Sequence, residues 1–157
     1  MSPSSDILNI VIDCSGSMVE GGKRLIARGV CRQIEQYSRL GYAAFQIQLI
    51  AANSKVVEVE WEPDQEYPEK LFECCESIAA APLLEALSQK QGKFLFLTDC
   101  AWNKKLKLAI GDWCKQIAPD FCRIIKIGNE PAPRIANIEI FTAEDVFAAL
   151  DKWVGEY

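Results

Sequence analysis

The chain has 157 residues, half of them hydrophobic and a quarter charged, with a formal net charge of -5. That length suffices for one domain with a real core and is short for two, and the mixture is that of a globular chain, not a disordered one. The acidic balance argues against nucleic acid or an anionic membrane surface as the partner. No apolar stretch approaches the roughly 20 residues that span a bilayer, and the opening MSPSSDILNI has no basic region, which argues against a signal peptide. Histidine is absent, which removes Ser-His-Asp triads, Cys-His dyads and the usual zinc catalytic sites together. Seven cysteines with no CxxC pair read as reduced, mostly buried thiols of a cytoplasmic protein.

The first element is Ile7-Leu8-Asn9-Ile10-Val11-Ile12, a nearly continuous apolar run of the kind found in parallel strands covered on both faces. Between Lys23 and Leu40 the apolar residues Ile26, Ala27, Val30, Cys31, Ile34 and Tyr37 fall on one helical face. Phe45, Ile47 and Leu49 alternate with glutamines, and Val57, Val59 and Trp61 alternate with glutamates beyond the Asn53-Ser54 turn. This predicts a hairpin whose second strand is an antiparallel edge. Pro68 is read as opening a helix with Leu71, Phe72, Cys75, Ile78 and Ala79 on its face, and Pro82 as starting a short turn through Leu87.

Lys93-Phe94-Leu95-Phe96-Leu97-Thr98-Asp99 is a second buried strand ending in a carboxylate, followed by a helix with Leu106, Ala109, Ile110, Trp113 and Ile117. Cys122–Ile127 and Ile138–Phe141 are further strands. Thr142 with Asp145 has the spacing of a capping box for a last helix carrying Val146, Phe147, Leu150 and Trp153. Six strands alternating with helices imply an α/β fold. It should be a doubly wound, mostly parallel sheet with one antiparallel edge strand and helices on both faces, in a single domain over 1–157.

In such a fold ligands bind at the carboxyl ends of the strands, where Asp13 and Asp99 should both lie. Two carboxylates there repel unless something positive stands between them. With the hydroxyls of Ser15 and Ser17 they offer only oxygen donors, which suit magnesium, manganese or calcium. Three other readings compete: capping of the following helix by Asp13, Ser15 and Ser17, a phosphate-binding loop, and a phosphotransfer site with Asp13 as nucleophile. The phosphate loop fails at two positions, since GxxxxGK[ST] needs glycine at Ser17 and a hydroxyl at Arg24. The nucleophile reading lacks a second carboxylate in the same loop, where Ser15 stands.

Asp13-Cys14-Ser15-Gly16-Ser17-Met18 after the first strand, with Leu97-Thr98-Asp99 ending a later one, resembles the von Willebrand factor A domain family over nearly the whole chain. The resemblance implies a metal-ion-dependent adhesion site. Ser15 and Ser17 would bind the ion directly, Asp13 and Asp99 would supply charge partly through waters, and a partner's carboxylate would complete the coordination. A departure is Ala81, in Ala79-Ala80-Ala81-Pro82, where the family commonly has threonine. The expected cofactor is therefore Mg2+, or Mn2+ or Ca2+, held weakly or not at all.

The resulting expectation is an intracellular, non-enzymatic interaction module that binds a protein partner presenting Asp or Glu. By the same resemblance it would be a subunit of a larger, ATPase-containing assembly. The alternatives are a metal-dependent phosphoryl hydrolase using Asp13 and Asp99, and a structural subunit with a dead site. Trp102, on the loop after the second motif strand, is either an exposed partner-binding anchor or packing over its own sheet edge. Cys14 and Cys100, each following a motif aspartate, are either a redox-sensitive thiol pair at the metal rim or two unrelated buried thiols, the second being the favoured reading. The 128–136 segment, with Pro131 and Pro133, is a candidate second rim of the binding surface.

Overall fold

The computed structural model describes residues 7–62 and 65–155; the first six residues, on which the leader reading partly rests, lie outside them. Six strands form one sheet: β1 (Ile7–Asp13), β2 (Gln46–Ala52), β3 (Val56–Val59), β4 (Lys93–Thr98), β5 (Cys122–Lys126) and β6 (Glu139–Thr142). Their spatial order is β3-β2-β1-β4-β5-β6. Every pairing is parallel except β2 with β3, the hairpin expected at the edge. The helices are α1 (Lys23–Arg39), α2 (Ala80–Ser88), α3 (Lys104–Gln116) and α4 (Val146–Leu150). No helix among the described residues is long and apolar enough to cross a membrane.

The period-two geometry of a strand explains why β1, β4 and β5 read as unbroken apolar runs. Leu8, Ile10 and Ile12 of β1, Leu95 and Leu97 of β4, and Ile125 of β5 pack with Ala27, Val30, Cys31 and Ile34 of α1 and with Ala149 and Leu150 of α4. The intervening Val11, Phe94, Phe96 and Ile124 pack with Leu83 and Leu87 of α2 and Leu106 and Ile110 of α3. Each strand therefore supplies both layers of a three-layer sandwich. Truncating a fully buried ring such as Phe96 to alanine would cost about 3–5 kcal/mol.

Three expectations are corrected. The helix read from Pro68 to Ala79 is a single 3-10 turn, Glu69–Phe72, followed by irregular chain. Its apolar spacing arises because Leu71 and Ile78 enter different core layers, while Cys75 is exposed. Helicity instead begins at Ala80 and runs through Pro82, which occupies the first turn where its missing N–H is harmless. The last helix stops at Leu150, and Trp153 is buried from the turn after it. Thr142 Oγ1 lies 3.1 Å from Asp145 Oδ2, a side-chain contact rather than a backbone cap.

Candidate functional site

β1 and β4 are neighbours with Ile12 opposite Leu97, so Asp13 and Thr98 end side by side at the carboxyl edge and Asp99 follows directly. Asp13 is 2% exposed and held by three donors. The Ser15 amide donates to Oδ1 at 2.8 Å, while the Thr98 hydroxyl at 2.5 Å and the Trp102 indole N–H at 3.2 Å donate to Oδ2. Burial raises the Asp13 carboxyl above its ordinary value, the hydrogen bonds from Ser15 and Thr98 oppose this, and the charge of Asp99 adds to it. Asp13 makes no ion pair among the described residues. A buried carboxylate of this kind, beside a second one, is electrostatically short of a cation.

Asp99 has found one. Lys23, the first residue of α1 and 5% exposed, places its ammonium 3.0 Å from Asp99 Oδ2, 2.8 Å from Glu130 Oε1 and 3.4 Å from the Ser17 carbonyl. Burial disfavours this ammonium, yet its bonds to Glu130 and Asp99 outweigh that and raise its pKa. Gly21 and Gly22, both at positive φ, turn the chain from the loop into α1 and bring Lys23 inward. Gly128, at φ +100°, lets the 128–136 segment reach over the lysine: a Cβ there would stand 2.6 Å from Glu130 Oε2 and 3.0 Å from Lys23 Cε. That segment thus meets the loop edge through Glu130.

The hydroxyls of Ser15 and Ser17 lie 3.4 Å apart. Ser15 shows no side-chain bond to the backbone as a helix cap, so the capping reading of the loop does not hold at that residue. The loop is instead fastened to the 73–79 segment: the Cys75 amide donates to the Cys14 carbonyl at 2.9 Å and the Gly16 amide to the Glu76 carbonyl at 2.8 Å. Ala81 is exposed on the first turn of α2 and brings no oxygen to the edge.

Two buried carboxylates and a hydroxyl pair form an oxygen-only donor set that fits a hard, hydrated divalent ion, with Lys23 already sharing Asp99. No group of three or more His, Cys, Asp or Glu able to hold a metal occurs among the described residues, so the hydroxyls are indispensable to such a site.

Trp102 is 7% exposed and packs edge-on against Phe96, which corrects its reading as an outward anchor. Its indole N–H needs a buried acceptor, and Asp13 supplies it. Cys14 and Cys100 are two separate buried thiols, the favoured of the two readings. They belong to core layers on opposite faces of the sheet, since residues following adjacent strand ends alternate in facing. The thiol that shares an acceptor with Cys14, the Leu71 carbonyl oxygen, is Cys74.

Sequence reasoning missed Lys23, Thr98, Glu130 and Cys74. Lys23 carries a signal, the Gly-Gly-Lys string, which has the look of a phosphate loop but serves here as the turn into α1. A polar residue inside an apolar run, as Thr98 is, was the available signal for a carboxylate partner.

No family model matches the chain, and no curated protein matches it in sequence. Among solved structures the chain is similar to the manganese-loaded TRAP protein of Plasmodium vivax at 10% identity, covering 100% of this chain and 76% of that one with a TM-score of 0.60. It is similar to a von Willebrand factor type A protein of Catenulispora acidiphila at 17% identity, over 90% of this chain and 40% of that one, TM-score 0.51. An aerotolerance-related membrane protein of Bacteroides fragilis matches at 11% identity, over 82% and 72%, TM-score 0.54. The chain has the von Willebrand factor A-type fold.

Proposed function

We propose that this chain is a non-enzymatic protein-interaction module whose loop edge holds a magnesium-type ion and recognises a partner's Asp or Glu. What supports the reading is that Asp13 and Asp99 stand at the carboxyl ends of adjacent strands, with the Ser15 and Ser17 hydroxyls 3.4 Å apart in the loop that Asp13 opens. Ser15 and Ser17 would ligate the ion, Asp13 and Asp99 would balance its charge, and Mn2+ or Ca2+ would serve in place of Mg2+. When bound, the ion supplies an open coordination position to an incoming carboxylate. The fold supports this, because one similar structure is a manganese-loaded protein. The acidic net charge adds to it: without a cation the edge would repel an acidic partner.

The phosphoryl hydrolase reading is weaker for a specific reason. The loop offers no second carboxylate beside Asp13, since Ser15 stands at that place, and Asp13 Oδ2 is occupied by the Thr98 hydroxyl and the Trp102 indole. Seven free thiols support a reducing, cytoplasmic setting. Membership of an ATPase-containing assembly rests on the family resemblance alone.

Calorimetric titration of Mg2+ and Mn2+ into the native protein and a Ser15→Ala/Ser17→Ala variant tests the site. Heat in the first that vanishes in the second is the expected result. If the native protein takes up neither ion at millimolar concentration, the edge is a relic and a face away from it must bind.

A further inference from the structure

Cys14, the second residue of the Asp-Cys-Ser-Gly-Ser string, is 1% exposed, and its Sγ lies 3.8 Å from the Leu71 carbonyl oxygen. Cys74 Sγ approaches the same oxygen at 3.7 Å from the other chain segment. The two thiols thus converge on one carbonyl oxygen, and the backbones that carry them are fastened together by the Cys75 amide on the Cys14 carbonyl. Cys74 is half-buried, so an oxidant can reach it from solvent. Arg24, whose guanidinium is anchored 2.8 Å from the Phe72 carbonyl, places positive charge beside it. The Cys114–Cys122 pair is also close, but both of its members are buried.

We propose that Cys14 and Cys74 form an oxidisable dithiol, a modification site under the Asp13–Ser17 loop that hydrogen peroxide converts to a disulfide. In the first step the Cys74 sulfur attacks one peroxide oxygen and the O–O bond breaks. A sulfenic acid forms, and the second oxygen leaves as water with the thiol proton. In the second step the Cys14 sulfur attacks the Cys74 sulfur and the S–O bond breaks. The departing oxygen leaves as water with the Cys14 proton. Two thiols and one peroxide thus become one disulfide and two waters, with two electrons passing from sulfur to oxygen. The bond would tie the loop bearing Ser15 and Ser17 covalently to the 73–79 segment. The proposal does not depend on a metal at the loop edge.

The test uses the full chain in chelator, treated with hydrogen peroxide without denaturant, alkylated, and mapped as non-reduced peptides. The expected product in the native protein and in Cys75→Ser is a Cys14–Cys74 disulfide. In Cys74→Ser, Cys14 should stay reduced. A vicinal Cys74–Cys75 disulfide as the main product would overturn the proposal. So would Cys74 advancing to sulfinic acid while Cys14 remains alkylatable after unfolding, or Cys14 oxidising equally in Cys74→Ser. Because the native protein alone decides the first point, a poorly folded variant cannot rescue a failed result.

Discussion

The Lys23 ammonium stands 3.0 Å from Asp99, while Asp13, on the neighbouring strand end, accepts only neutral donors. One of the two edge carboxylates is therefore neutralised from within the chain and the other is not. A divalent ion at this edge would draw on the carboxylate that the lysine already holds, so the internal cation weakens the external one.

Lys23→Met should accordingly tighten divalent binding while destabilising the metal-free protein. Removing one partner of a buried pair leaves an uncompensated charge, here on Asp99, and costs about 3 kcal/mol. Magnesium should recover much of that loss, since a ligand that binds only the native state stabilises it by mass action. Urea midpoints of both forms with and without Mg2+ measure this. Equal magnesium effects in the two proteins would show that Lys23 and the ion do not compete.

Trp102→Phe tests the indole bond without emptying the core, because the new ring can keep the edge-on packing against Phe96. The lost donor serves a buried carboxylate, so the expected destabilisation is about 1.5–3 kcal/mol. A denaturation midpoint unchanged from the native protein would mean that water replaces the indole.

Acid should act on Asp13 and Glu130 in opposite senses. Asp13 is raised by burial, so between its ordinary value and its native one the folded state binds more protons than the unfolded state. Its contribution to stability therefore grows as pH falls from neutral through that window. Glu130 is lowered by its bond to Lys23, so its contribution is present above the ordinary carboxylate range and lost as pH falls through its native pKa. Magnesium favours ionised Asp13, so stabilisation by the ion should shrink on acidification. Thermal melts at several pH values, native against Asp13→Ala, provide the check. A magnesium effect on the native protein that is flat across the acid range would remove Asp13 from the ion's charge balance.

What the sequence made legible follows the local physics. Buried parallel strands announce themselves as apolar runs, and carboxylates ending such runs must meet at one edge; Asp13 and Asp99 were found that way. The edge hairpin was legible from alternation alone. The 68–79 stretch was misread because Leu71, Cys75 and Ile78 mimic a helical face while serving two layers and solvent. Lys23 was obscured for a different reason. Its role comes from a tertiary contact with Asp99, 76 residues away in sequence, and no local pattern encodes that.

Restoring the family's hydroxyl at Ala81 sets a local cost against a gain at the site. Ala81 is helical, exposed and directly before Pro82. Threonine there loses about 0.5 kcal/mol of helix propensity, and its β-branch crowds a backbone that the following proline already restricts. Against this, a neutral oxygen at the place of the family's threonine should strengthen magnesium binding by about 1–2 kcal/mol if it reaches the ion, since the ion releases water reluctantly. That corresponds to roughly five- to thirty-fold in affinity. Ala81→Thr is therefore expected to melt slightly lower than the native protein in chelator and higher in saturating Mg2+. Calorimetric titration alongside the melts separates the two effects. If affinity is unchanged while the chelated protein is destabilised, the first turn of α2 stands too far from the hydroxyl pair to contribute a ligand.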